Sequence, residues 1–292
     1  MSSEKVYTLM GGERMPLVGY GTYKVRGREL INRVLDCALG AGYRLIDTAV
    51  VYENEQEIGE ALRSLLPKHN LKREDIFITS KLPSNLYGVL DNILKVIKSS
   101  LVKLDVTFID LYLIHWPGQH GQNPRDDSNS HVRAQTWKAL IEAKRMGWVK
   151  NIGVSNYADH HIREIIDRYP HELPVVNQVE WHPMCYQQEL LSFCKENSIL
   201  LQAYFSLGGT SDSNALLNNA EVQKVAQNVH KSPAQVLLAW ALQHGVAIIP
   251  KSLNNDHIIS NFKLDFVIPD DDFRILNSLP QKRFGGNPAI VL

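Results

Sequence analysis

Asp47, Lys81 and His115 follow one another at intervals of 34 residues, and Tyr52 lies five residues beyond Asp47. An unperturbed phenol titrates at about 10, so a tyrosine is a poor proton donor near neutrality unless a nearby cation stabilises the phenolate. Lys81 can be that cation. A buried ammonium tends in turn to lose its proton unless a carboxylate holds the charge, and Asp47 is placed to do so. His115 can then orient or polarise a carbonyl oxygen. The four residues describe a proton donor beside an oxyanion site, which suits reduction of a C=O group once hydride comes from elsewhere. No side chain donates hydride, so the set requires a cofactor.

An interval of 34 residues brings side chains together if each spans one strand and one helix. Apolar runs at Tyr43–Asp47, Ile76–Ser80, Phe108–Ile114, Val149–Val154, Val175–Val179, Leu200–Ala203 and Val246–Ile249 read as buried strands, and Leu17–Gly21 makes the eighth. Helical periodicity falls between and around them, near 28–40, 54–66, 88–102, 131–146, 159–168, 187–196, 219–229, 232–243 and 255–263. Strand-then-helix alternation implies a parallel sheet with right-handed crossovers, open or closed. Eight such units in about 250 residues is the usual size of a (β/α)₈ barrel. The runs also end in polar side chains, among them Asp47, Lys81, His115, Asn156, Gln178, Tyr204 and Lys251, as at the C-terminal face where barrel sites are built. The expected architecture is one domain over residues 1–292: a (β/α)₈ TIM barrel preceded by a β-hairpin around Gly11-Gly12 and followed by a short C-terminal tail. Gly19-Tyr-Gly21 lacks the third glycine of a dinucleotide fingerprint and reads as turn chemistry. The irregular stretch from Pro117 to Ser130 reads as a mobile loop above the fourth strand, able to contact substrate.

Composition narrows the partners. Lys plus Arg and Asp plus Glu both number 31, so the formal charge is zero and no basic stripe supports a nucleic-acid or membrane-surface binder. Cys37, Cys185 and Cys194 form no C-x-x-C pair, and with no apolar leader at Met1–Lys5 and no run approaching a membrane span, a reducing, cytoplasmic setting is expected. His160, His161 and His182 lack partners at metal-ligand spacing, so no metal is expected. The partner implied is a small carbonyl compound. With no heptads on a neutral surface, a monomer is the expected state.

The sequence resembles the aldo-keto reductases from the hairpin to about Asn261. The residues that carry this are Asp47-Thr-Ala-Val-Val-Tyr52, Ser80-Lys81, Leu113-Ile-His-Trp-Pro117, Ile152-Gly-Val-Ser-Asn156 and Ile249-Pro-Lys-Ser252. The resemblance implies Tyr52 as general acid, Asp47 and Lys81 as the pair that tunes it, His115 as the group that orients the carbonyl, and NADPH ahead of NADH as hydride donor. It also implies that Ser155, Asn156 and Gln178 hold the carboxamide, that Tyr204 stacks on the nicotinamide, and that Thr22, Asp47 and Leu207 line the cofactor. Lys251 and Ser252 would meet the ribose phosphate, with His257 and Asn261 at the adenine end and Tyr23, His115 and Trp116 around the substrate. Tyr87 is a further candidate for an aromatic pocket wall.

The chain departs from that pattern in four places. Phe205 stands where relatives carry a serine, His257 where NADP-dependent relatives place an arginine, and Ser260 where a glutamate is usual. A neutral imidazole cannot reproduce a bidentate guanidinium contact to phosphate. In compensation, Asn254-Asn255-Asp256 can cap a helix whose N-terminus favours an anion. The short tail after Pro280 implies a more open pocket and broad substrate acceptance. Fold does not dictate function, so a nucleotide-binding regulatory or crystallin-like structural protein is the alternative, and an isomerase or lyase without nicotinamide is a third.

Overall fold

Residues 5–209 and 214–292 are described by the structure, a computed structural model; the polar start Met1–Glu4 and residues 210–213 lie outside the described residues. The chain opens with an antiparallel hairpin, β1 (Val6–Thr8) and β2 (Arg14–Pro16), in which Tyr7 faces Met15. Eight strands then follow in parallel: β3 (Tyr20–Gly21), β4 (Leu45–Asp47), β5 (Phe77–Leu82), β6 (Ile109–Ile114), β7 (Val149–Ser155), β8 (Val176–Glu180), β9 (Leu200–Tyr204) and β10 (Ala247–Ile248). Their order in the sheet is their order in the chain. The sheet closes on itself, because Gly19 donates to the Ile248 carbonyl and Ile248 to that of Leu17, each at 2.8 Å. Gly21 sits on this seam, where a Cβ would come within 2.7 Å of the Ile249 carbonyl oxygen. That close approach is the reason for the glycine.

Two apolar layers result. Leu45, Phe77, Leu111, Leu113, Val176, Leu200 and Ala247 fill the barrel, and Leu9 and Met15 of the hairpin belong to the same cluster. The larger cluster lies between strands and helices. The helices are α1 (Arg28–Ala41), α2 (Glu55–Lys68), α3 (Leu90–Leu104), α4 (Ser128–Arg145), α5 (Asp159–Arg168), α6 (Gln188–Glu196), α7 (Ala220–Asn228), α8 (Pro233–Gln243), α9 (Asn255–Phe262) and α10 (Asp270–Asn277). Local chemistry marks their ends. Gly42 terminates α1 in the left-handed region at φ 108°, and Ser232 with Gln235 forms a capping box ahead of Pro233 on α8.

The periodicity reading omits α10. Asp270, Asp271 and Asp272 lie in its first turn, where carboxylates are favoured by the partial positive charge of a helix N-terminus. The expected 117–130 loop is shorter, since α4 begins at Ser128. Asn129 ties it down by donating to the carbonyls of Asn123, Pro124 and Asp126. Among the described residues no helix is long and apolar enough to cross a membrane.

Candidate active site

Strand alternation builds the site. On β5, Thr79 and Lys81 point into the barrel while Ser80 points out and donates to Glu55 on α2 at 2.7 Å. Asp47 ends β4 next door and faces inward too. Lys81 and Asp47 are 0 % and 1 % exposed, and the ammonium contacts both carboxylate oxygens at 2.8 and 2.9 Å. Lys81 Nζ also lies 2.8 Å from the Thr48 carbonyl and 3.3 Å from the Tyr52 hydroxyl. An ammonium has three protons and no lone pair. With one spent on the carboxylate and one on the carbonyl, the third meets the phenol oxygen and leaves the phenol's own proton free to point elsewhere.

Burial lowers the Lys81 pKa and the charge of Asp47 opposes that shift. The tyrosine behaves differently from the sequence expectation. Burial pushes the Tyr52 phenol well above its ordinary value, and the Asp47 charge adds to the rise. The resting phenol therefore stays protonated, and an ammonium at this distance can stabilise a phenolate wherever one forms. His115 follows β6, and burial, helped by Lys81, depresses its imidazole to about 3. It stays neutral and donates or accepts without carrying charge. Its ring centroid is 6.1 Å from that of Tyr52, and the Tyr23 ring lies 5.1 Å from Tyr52 on another side.

A second group of residues lies across the barrel mouth. Ser155 ends β7, and its hydroxyl donates to the Gln178 carbonyl at 2.7 Å. Asn156 follows at φ 63°, donating to the His115 carbonyl at 3.0 Å and accepting from the Tyr204 hydroxyl at 2.6 Å. Gln178 on β8 donates to Asp47 at 2.7 Å, which links this group to the ion pair. Gln178 Oε1, on a side chain almost wholly buried, accepts no hydrogen bond among the described residues. A planar amide ligand that offers N–H there, beside the Ser155 and Asn156 side chains and the Tyr204 ring, fits this cradle. Thr22 is buried and its hydroxyl donates to the Asp47 carbonyl at 2.9 Å, so it braces β4. Leu207 is half-buried on the turn that follows β9.

The residues around Lys251 and the start of α9 are more exposed. Lys251 is half-buried, and its pKa is lowered by burial and by the neighbouring charge of Lys24. Tyr20 donates to the Ser252 carbonyl at 2.7 Å, while Arg33 donates to the Leu253 carbonyl and to Asn255 Oδ1 at 3.1 and 2.8 Å. Asn254 caps α9 as expected, but its side chain takes the N–H groups of Asp256 and His257, so those donors are not open to an anion. His257 is exposed, and Asn261 is buried on the same helix.

Trp116 is half-buried at the mouth, pinned by Tyr87, whose hydroxyl donates to its carbonyl at 2.9 Å and accepts from its N–H at 3.0 Å. Tyr87 is itself buried and so stands behind the pocket wall instead of forming it. The tail packs against the barrel beside Trp116. The Phe284 and Gly285 amides donate to the buried Glu180 carboxylate at 2.6 and 2.8 Å, and a Cβ at Gly286 would lie 3.2 Å from the Trp116 ring. Farther on, the Val291 carbonyl accepts from His161 at 2.8 Å and that of Leu292 from Arg133 at 2.7 Å. Sequence reasoning missed Thr48, Glu180 and Gln202; the first acts through its carbonyl, and the others show their partners only in three dimensions. Cys185 and Cys194 are buried free thiols, Cys37 is partly exposed, and no group of metal-ligating side chains occurs among the described residues.

Comparison with known proteins identifies the family. Residues 17–280 match the model of the aldo/keto reductase family. "Aldo-keto reductase family 1 member A1-A" of Danio rerio is 39% identical over 97% of this chain and 92% of its own length. Glycerol 2-dehydrogenase (NADP(+)) of Saccharomyces cerevisiae is 31% identical over 96% of this chain and 92% of its own. The solved aldose reductase of Schistosoma japonicum superposes with a TM-score of 0.86 at 33% identity, covering 96% of this chain and 94% of that one. With a closed eight-stranded barrel, a lysine–aspartate pair beneath a tyrosine at its mouth and a family match across most of its length, the chain belongs to the aldo/keto reductase family.

Proposed function

We propose that the protein reduces aldehydes or ketones to alcohols, with NADPH as hydride donor and Tyr52 as proton donor. The observation that carries this is the Lys81 ammonium, 3.3 Å from the Tyr52 oxygen while also held by Asp47 and the Thr48 carbonyl. That arrangement stabilises a phenolate only as the proton leaves, which favours the transition state over the ground state. The neutral His115 imidazole orients the carbonyl oxygen toward Tyr52. Gln178, Ser155 and Asn156 hold the carboxamide, and Tyr204 supplies the flat surface for the ring. When bound, the reduced nicotinamide supplies the hydride that no side chain can. Tyr23 and Trp116 wall the substrate side and exclude water.

Preference for the 2′-phosphorylated nucleotide rests on two neighbouring ammonium groups, Lys251 and Lys24, whose mutual repulsion a bound phosphate would relieve, with the Ser252 hydroxyl beside them. A relative whose name carries NADP(+) adds weight to that preference. NADH is the weaker alternative, because His257 offers no guanidinium. The protein acts as a monomeric enzyme on small carbonyl compounds in the cytoplasm.

Initial rates of NADPH and NADH oxidation with a reactive aromatic aldehyde test the proposal. Turnover faster with NADPH is expected. Turnover favouring NADH keeps the reaction and reverses the cofactor, and tight nucleotide binding without turnover of any carbonyl overturns the catalytic reading.

A further inference from the structure

Gln202 occupies the barrel interior on β9, with its Cα in register with Gln178 on β8. Its side chain is fully buried and forms one hydrogen bond, accepting at Oε1 from Gln178 Nε2 at 2.7 Å. Its own Nε2 is buried and has no partner among the described residues.

The chemistry of the partners settles the orientation of both amides. An ionised carboxylate only accepts, so Gln178 must present Nε2 to Asp47 Oδ2. That nitrogen carries two protons, and the second goes to Gln202, which must therefore show its oxygen. With both protons engaged, Gln178 Oε1 is the one polar atom of that side chain left to read a ligand. An aliphatic side chain at position 202 would fill the barrel layer without burying an orphaned N–H. What the glutamine adds is an acceptor.

We infer that Gln202 is a positioning residue: its Oε1 locks the Gln178 amide so that Gln178 Oε1 accepts from an N–H of the bound ligand. The inference rests on the nicotinamide reading and deepens it. Asp47 alone holds the Gln178 nitrogen through one proton, which leaves the amide able to swing. Held through two, it stays in one plane. The site then discriminates in favour of a ring substituent with N–H donors, as in a carboxamide, over one with the same carbonyl and a methyl group.

The test is equilibrium binding, read by quenching of protein fluorescence and so independent of turnover. NADP⁺ and its 3-acetylpyridine analogue are titrated into the unmodified chain and into Gln202→Met. The unmodified chain should prefer the carboxamide by about tenfold, the order expected for one buried hydrogen bond. In Gln202→Met this preference should fall to near unity, while 2′,5′-ADP, which lacks the ring, binds both proteins equally. Gln202→Glu, which keeps an acceptor at the same reach, should retain the preference. If Gln202→Met does not fold, Gln202→Val, too short to reach Gln178, replaces it and is read in the same way. An unchanged preference in the folded apolar variant overturns the inference and leaves the nicotinamide reading standing. Failure of the unmodified chain to bind either nucleotide overturns the nicotinamide reading itself.

Discussion

The two ends of the candidate site are built differently. At the catalytic end, Asp47, Lys81 and Gln178 are sealed in the barrel, and the carboxylate accepts from both the ammonium and the amide. At the far end, Asn254, Asn255, Asp256 and His257 are exposed on the start of a helix, tied down by the α9 cap at Asn254 and by the bonds that Tyr20 and Arg33 give to the Ser252 and Leu253 carbonyls and Asn255 Oδ1. Removing one member of the buried network leaves another charged or polar group without a partner in low dielectric, so the whole set must change together. A side chain on the exposed turn changes alone and with little cost to the fold. The sequence departures toward the adenosine end, His257 and Ser260, fall on this side of the divide, while Asp47, Tyr52, Lys81 and His115 keep the expected identities.

The contrast can be broken by substitution, and the largest effect belongs to the ion pair. Lys81→Met strands the Asp47 carboxylate in the barrel and should cost about 3–5 kcal/mol of stability, the usual penalty for an uncompensated buried charge, with turnover lost as well. Urea denaturation beside single-turnover kinetics measures both, and an unaltered midpoint would show that Asp47 is not held as described. Tyr52→Phe touches the catalytic end without exposing a charge. Its turnover should fall about 10²–10⁴-fold while NADP⁺ affinity and folding stability hold, since only the proton donor is lost.

A third expectation concerns acid. Folding depresses His115 from 6.5 to about 3, so below pH 6.5 the unfolded chain binds a proton that the native chain refuses. Stability contributed by neutral His115 is thus complete above pH 6.5 and declines as pH falls toward 3. His161, depressed by burial to about 4, acts in the same direction. Unfolding midpoints between pH 7 and pH 4 should fall, and less steeply in His115→Phe; parallel slopes would mean that His115 titrates normally. The smallest effect lies at the exposed end. His257→Arg should raise the preference for NADP⁺ over NAD⁺ by about tenfold, through a charge-assisted contact to the 2′-phosphate, with no change in unfolding midpoint.

Much of this was legible before folding. The 34-residue spacing of Asp47, Lys81 and His115 and the apolar runs that precede them give the strand order and the shared rim, because strand alternation and right-handed crossovers leave little freedom. The cap at Asn254 ahead of α9, set by local rules, was equally readable. What stayed hidden depends on partners distant in sequence. Gln202 looks like any polar residue in a strand, and Tyr87 looks like a pocket aromatic until its hydroxyl is seen locked to the Trp116 backbone.

The sequence by itself determined the barrel and the four residues at its mouth, since period, spacing and residue type are local properties of the chain. Tertiary structure alone decided how those residues behave. The Tyr52 phenol is raised by burial, and burial cannot be read from composition. Gln178 shows its oxygen because Asp47 and Gln202, 131 and 24 residues away, claim both protons of its nitrogen. The tail enters the site because the Glu180 carboxylate, 104 residues before Phe284, attracts its amides. Electrostatics and hydrogen bonding act through space, and only the fold sets those distances.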